Sequence, residues 1–306
     1  MSRPDRGCRF LQHVFLAALL LGFAAVPVSA ARLRLPPIVE PASQEQHVGK
    51  VIFVELVTPD LALAERFYGG LFGWTFRDMN AGGTAYAEAM LAGSPVAGLF
   101  QRKLPAREHR QPAWLTYFSV RDVDAAAETA VQDGGKVLFS PHSFPDRGRE
   151  AVLADPQGAV FAVLASSSGD PPDVLADPGA WIWSSLITSD PNGAAAFYQK
   201  LFGYDVFPLP PDGSMQHLIL ASGGYARASV NSLPPGRPNV RPHWLNYVRV
   251  DDAGATAARA AALGGRVLIA PRMDRDGGKI ALIADPLGAV FGLLERPAKE
   301  SGEVSK

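Results

Sequence analysis

Glu55 is the first residue in this chain whose type and setting could do chemistry. It lies in the apolar run Val51 to Val57, VIFVELV, where alternation places Phe53, Glu55 and Val57 on one face of a strand. A carboxyl group on such a face is costly unless paired or hydrated. Burial would raise its pKa and suit it to general-base work, so Glu55 is the candidate catalytic residue. An ion pair or hydrogen bond at a packing seam is the competing reading.

Other polar and aromatic residues could line a pocket beside it. Tyr86, Glu88 and Met90 alternate on a later strand-like run, and Tyr117 lies in WLTYFSV, which begins at Trp114. Arg227 and Ser229 alternate farther on. The Arg227 fork matches a carboxylate or phosphate, against the plainer reading of a solvated strand edge. His13, His47, His109, His142, His217 and His243 form no HxH or HExxH cluster. Cys8, the only cysteine, leaves no thiolate metal site after the N-terminal segment.

These candidates sit on a duplicated scaffold. Asp60 to Trp74, DLALAERFYGGLFGW, recurs 130 residues later as Asp190 to Tyr204, DPNGAAAFYQKLFGY. Trp114 with Trp244, Tyr117 with Tyr247 and Asp155 with Asp285 keep the same spacing. Phe53 therefore matches Trp183, and Glu55 matches Ser185, so any function that needs Glu55 belongs to one copy. By this register Gln216, Leu218 and Leu220 replace Tyr86, Glu88 and Met90. His217 falls one position out of phase, on the surface or helix side. Phe53, Tyr86, Glu88, Tyr117, Trp183, Ser185, Arg227 and Tyr247 are the ligand-binding candidates.

Each copy reads as strand, helix and Gly stop, then strand-like runs, then a second strand–helix start. Asp60 caps a helix whose Leu61, Ala64, Phe67, Tyr68 and Leu71 recur at helical spacing until Gly73. Asp155-Pro156-Gln157-Gly158 and Asp285-Pro286-Leu287-Gly288 are tight turns, structural in purpose. The expected domains are 51–165 and 181–295, joined by a linker at 166–180 and followed by a tail at 296–306. Residues 31–50 read as an extended tether with no chemistry of its own.

Residues 1–30 read as an export signal. Arg3, Arg6 and Arg9 precede the apolar run Leu11 to Ala25, and Val28-Ser29-Ala30 suits signal peptidase. The run is shorter than the roughly 20 residues that a spanning helix needs, so cleavage near Ala30 and a periplasmic or secreted location are expected, with no membrane span afterwards. The formal net charge of −1 offers no footprint for nucleic acid. Hydrophobic residues at 47% can fill a core, and wholesale disorder is excluded.

The ordered motifs Glu55-Leu56-Val57-Thr58 … Asp60 … Phe67-Tyr68 … Leu71-Phe72-Gly73-Trp74, Trp114 … Val120-Arg121-Asp122-Val123-Asp124 … Gly134-Gly135 and Asp-Pro-x-Gly-Ala-Val-Phe resemble the glyoxalase/bleomycin-resistance/dioxygenase superfamily, the vicinal oxygen chelate proteins. The resemblance implies an α+β fold of two tandem glyoxalase-like domains. Each would be built from paired βαβββ modules that curl their strands into a cup.

Metal-dependent members of that superfamily hold one divalent ion in the cup through His, Glu or Gln. The matching positions here are Phe53, Leu115 and Ala162 in one copy and Trp183, Leu245 and Gly292 in the other, none of which binds a hard cation. Neither Pro95 to Phe100 nor Tyr225 to Val230 supplies a ligand. No metal or other cofactor is therefore expected. The leading expectation is an exported, metal-independent protein that binds a small, partly aromatic ligand, as a monomer or homodimer. A lyase or hydroxylase-type enzyme with Glu55 as base, with or without a recruited divalent metal, and a non-catalytic interaction scaffold are the alternatives.

Overall fold

The computed structural model describes residues 34–81, 84–103, 112–212, 215–234, 236, 240–274 and 277–296. The export-signal reading of 1–30 and nearly all of the tail lie outside them. The first half runs β1 (Val51–Thr58), α1 (Leu61–Phe72), β2 (Thr75–Ala81), β3 (Thr84–Leu91), β4 (Ser94–Gln101), β5 (Ala113–Ser119), α2 (Val123–Gln132), β6 (Lys136–Phe144), β7 (Gly148–Ala154) and β8 (Val160–Ser166). The second half repeats it with β9 (Trp181–Thr188), α3 (Pro191–Phe202), β10 (Asp205–Asp212), β11 (Met215–Ser222), β12 (Tyr225–Ser232), β13 (His243–Val250), α4 (Ala253–Ala262), β14 (Arg266–Met273), β15 (Lys279–Ala284) and β16 (Val290–Glu295).

Each half is one eight-stranded sheet, ordered β2-β3-β4-β1-β5-β8-β7-β6 and β10-β11-β12-β9-β13-β16-β15-β14. Two βαβββ modules meet along the antiparallel β1–β5 and β9–β13 pairs. The helices form where the local signals put them. The Asp60 side chain accepts from the Leu63 amide at 2.9 Å, and Gly73 ends α1 at φ 75°, where a side chain would be strained. Asp190 caps α3 in the same way, and Pro191 occupies its first turn.

The two sheets lie back to back. The buried face of α1, with Phe67, Tyr68 and Trp74, shares a core with Val250, Ala257, Ile283 and Phe291 of the second half. Phe118, Val123 and Phe161 of the first half share a matching core with Phe197, Tyr198 and Phe202. At the centre, Thr116 and Asn246 exchange side-chain hydrogen bonds of 3.1 and 3.0 Å, and Ser184 donates to Asn246 at 2.6 Å.

A tyrosine reaches across each half of this interface to the other domain's turn aspartate. Trp114 Nε1 donates to the Tyr68 hydroxyl at 3.1 Å, and that hydroxyl donates to Asp285 Oδ2 at 3.1 Å. Its counterpart runs from Trp244 to Tyr198 at 2.9 Å and on to Asp155 at 3.1 Å. The second oxygen of each Asp holds its own turn, accepting from Leu287 and Ala289 at 2.9 Å and from Gln157 and Ala159 at 3.0 and 2.8 Å. The Asp-Pro-x-Gly motif is thus structural, and it also joins the domains.

Over residues 34–50, part of the tether expected at 31–50, the chain is instead a packed strap. Leu35 is buried against Tyr86 and Phe144, and Ile38 against Phe53, Leu115, Tyr117 and Val152. Val39 and Ser43 hydrogen-bond to Ser168, and Ser43 to the Asp170 carbonyl. Burying Leu35 and Ile38 contributes roughly 1.5–3 kcal/mol each, which holds the extended segment in place without regular secondary structure.

Tyr68→Phe deletes a hydroxyl that serves a buried donor and a buried acceptor at once. It is expected to cost about 1–3 kcal/mol of unfolding free energy in urea titrations, and Tyr198→Phe the same. A loss below about 0.5 kcal/mol would show that the relay does not hold the domains together.

Candidate functional site

The concave faces of the two sheets make two cups with unlike contents. In the first, Glu55, Tyr86, Glu88 and Tyr117 come together as their alternation predicts, but beneath the strap rather than at an open surface. Tyr117 donates to Glu55 Oε2 at 3.0 Å, while Oε1 has no partner. Glu88 is fully buried and accepts from Arg77 Nε at 2.8 Å, and Arg77 also reaches Glu40 of the strap at 3.2 Å. Desolvation raises the Glu88 pKa, and Arg77 opposes that rise.

Sequence reasoning missed Arg77 and two further members of this cluster. Arg147 is fully buried, donates to the Pro36 carbonyl at 2.7 Å and to the Tyr86 hydroxyl at 2.8 Å, and stands 4.4 Å from the centre of the Phe53 ring. Glu150 is buried beside it with Oε2 unpartnered. Burial pushes the Glu150 pKa up to about 8, with Arg147 opposing and Glu55 adding to the rise. Arg147 lies in the turn before β7, where no alternation applies, whereas Glu150 keeps the regular alternation of β7 and shares the inward face with Val152.

The strap therefore fills the first cup. Leu35 and Ile38 cover its apolar wall, and Pro36 accepts from its buried guanidinium. Glu55 is 7% exposed and Tyr86 1%, so neither faces solvent.

The second cup has the same walls with different residues. Pairing of Ser185 with Ser229 mirrors that of Glu55 with Gly98, so the repeat distance here is 131 residues rather than 130. The extra residue falls in the β10–β11 hairpin, where the register slips between Leu209 and Asp212. This corrects the placement of Gln216, Leu218 and Leu220. Leu218 and Leu220 belong to the interdomain core, and His217 takes the position of Tyr86.

On this face Trp183 Nε1 donates to Ser229 Oγ at 3.1 Å, and the Ser185 and Ser229 hydroxyls lie 2.8 Å apart. Asn231 Nδ2 donates to Ser229 at 3.3 Å, and Asn231 Oδ1 meets His217 Nδ1 at 2.8 Å. Tyr247 is hydrogen-bonded to Ser185, and burial pushes its pKa up to about 12. Ile219 and Ile280 stand where the first cup has Glu88 and Glu150. The second cup is accordingly uncharged where the first is charged.

Arg227 does not join this cup as an anion holder. It is the extra residue of a β-bulge, and its fork grips Asp173 of the interdomain linker, with one bond of 2.9 Å. Lys50 reaches the same carboxylate at 2.9 Å. Together the two cations hold the Asp173 pKa down to about 2 against the upward pull of burial.

The positions where the resemblance implies metal ligands do not fit a divalent ion. Phe53, Leu115 and Ala162 are part of the apolar cluster around Ile38. In the second cup the Tyr247 ring lies over Gly292, where even a Cβ would approach it to 2.1 Å, so a ligating side chain has no room. Among the described residues no group of three or more His, Cys, Asp or Glu is placed to hold an ion.

Paired βαβββ modules, two outward-facing cups and a tandem repeat define the vicinal oxygen chelate class. The chain belongs to the glyoxalase/bleomycin resistance protein/dioxygenase superfamily, with residues 47–163 matching that family and residues 184–294 matching its glyoxalase-like domain. It is 35% identical over 263 residues to the glyoxylase-named protein CFP32 of Mycobacterium tuberculosis, covering 85% of this chain and 99% of that one. It is also 33% identical to the anthracycline biosynthesis protein DnrV of Streptomyces peucetius, covering 81% and 93%. The Mn(II)-bound glyoxalase from Novosphingobium aromaticivorans shares the fold, with a TM-score of 0.58 at 16% identity over 82% of this chain and 83% of that one.

Glu150 makes a pH prediction. Its pKa is raised from 4.5 to about 8 in the folded chain, so above pH 4.5 the unfolded chain releases a proton that the folded chain keeps. Stability contributed by this group is complete at low pH and falls as pH rises toward 8. Glu150→Gln is expected to flatten that fall in denaturation midpoints measured from pH 5 to 9, whereas an unchanged slope would place the titration elsewhere.

Proposed function

We propose that this chain is an exported, metal-independent binding protein for a small planar organic ligand, and that the ligand occupies the second cup. The carrying observation is the contrast between the cups. The strap covers the apolar wall of the first, whereas Phe207 and Leu209 on the corresponding wall of the second are 54% and 38% exposed. Trp183, Ile219, Leu282 and Ile280 are also only partly buried. Exposed apolar residues gathered in a concavity mark a binding surface.

Trp183 and Tyr247 lie opposite each other on β9 and β13 and supply flat surfaces for an aromatic ring system. The Ser185, Ser229, Asn231 and His217 side chains beside Trp183 offer hydroxyl, amide and imidazole groups to polar substituents of the ligand, and Arg272 and Asp274 lie near Tyr247. The kinship with proteins named for anthracycline biosynthesis agrees with a polycyclic aromatic ligand. Export rests on the basic start, apolar run and Val28-Ser29-Ala30 of the sequence. Glu55 faces the strap-filled cup, and the binding reading does not use it.

Titration of the purified protein with 2-naphthol, followed by tryptophan fluorescence, is expected to saturate and to be unaffected by prior dialysis against EDTA. Trp183→Ala and Tyr247→Ala should each weaken binding roughly 2- to 10-fold. Equal affinity in both variants would move the site out of the second cup, and loss of binding on chelation would overturn metal independence. N-terminal sequencing of protein from the producing cell is expected to start near Ala31, and a start at Met1 would refute cleavage.

A further inference from the structure

Building on that reading, we infer that Arg272 is a specificity-determining residue of the second cup, pairing with an anionic substituent on the bound ring system. The ligand class then narrows to planar aromatic acids, with a carboxylate as the group that the guanidinium fork matches.

Sheet register brings Arg272 to the concave face. Tyr247 pairs with Gly292 and Gly292 with Leu282, while Arg272 pairs with Ile280, two residues from Leu282 and on the same face. Arg272 thus stands on the β14 edge of the cup, and the β10 edge carries the exposed Phe207 and Leu209. One rim is apolar and the other bears a cation.

The other guanidinium groups on these faces are already taken. Arg77 donates to Glu88, Arg147 to Pro36 and Tyr86, and Arg227 to Asp173. Arg272 is exposed, and among the described residues no hydrogen bond or ion pair takes it up. It nevertheless acts on the cup. Burial raises the Tyr247 pKa, Asp274 adds to the rise and Arg272 opposes it, so both charges lie within electrostatic reach of that hydroxyl.

Asp274 weakens the attraction for an anion without removing it, because no ion pair joins it to Arg272 among the described residues. Ser185, Ile219 and Ile280 stand where the first cup has Glu55, Glu88 and Glu150, so the floor holds none of those carboxylates to compete for the guanidinium. A ring system against Trp183 and Tyr247 then presents its carboxylate to Arg272 from the Tyr247 side.

The test compares 2-naphthoate, ionised at neutral pH, with 2-naphthamide, which keeps the ring system and the shape of the substituent without the charge. Calorimetric titration of the wild-type chain is expected to show about 3- to 10-fold tighter binding of 2-naphthoate, a preference that shrinks with added salt. Arg272→Gln should abolish the preference while leaving 2-naphthamide affinity unchanged, and Arg272→Lys should keep part of it. Asp274→Asn should enlarge it. Arg266 lies on the same face near the other end of β14, opposite Ala284, so Arg266→Gln makes the same charge change away from Tyr247 and should leave the preference in place.

Equal affinity of the two compounds for the wild-type chain would overturn the role of Arg272 and leave binding in the cup standing. So would a preference that survives Arg272→Gln, or one that Arg266→Gln lowers as much. Failure of both compounds to bind would overturn this inference together with the reading on which it rests.

Discussion

The architecture depends on two tyrosine hydroxyls buried against the turn aspartates of the opposite domain. Tyr68 on Asp285 and Tyr198 on Asp155 bring the convex backs of the sheets together. A buried carboxyl group needs partners, and each Asp divides its oxygens between its own turn and the neighbouring domain. The same Asp-Pro-x-Gly turn thus closes a module and locks the interface. With their backs so engaged, the sheets present their concave faces outward, and two cups result that share no wall.

Once separated, the cups diverged. The first holds Glu55, Glu88, Glu150, Arg147 and Arg77, and closes over them with its own N-terminal strap. Its charge cluster is used in part to dock the strap, because the Arg147 guanidinium takes the Pro36 carbonyl as a partner. The second cup replaces the charges with Ser185, Ile219, Ile280 and a His–Asn pair and leaves its apolar wall open. A filled cup thus stands beside an open one in the same chain.

Much of the scaffold was legible because its signals are local. Asp60 and Asp190 cap helices, Gly73 and Gly203 stop them, and the alternation in VIFVELV placed Glu55 beside Phe53 on the concave face. The site was less legible for two physical reasons. A one-residue insertion in the β10–β11 hairpin shifts β11 by one position against the 130-residue repeat, so His217 looked out of phase when it was in place. Arg147 enters the cup from the turn before β7, a place where strand alternation says nothing about side-chain direction.

The sequence by itself determined the duplicated modules, the helix boundaries, the family and the lack of suitable side chains at the expected metal positions. These depend on residue type and short-range spacing, which the chain carries wherever it folds. Tertiary structure decided which cup is open, which carboxyl groups are buried and where Arg227 is used. Each of those outcomes joins residues far apart in the chain, as when Pro36 meets Arg147 or Asp173 meets Arg227, and no local pattern encodes such a meeting.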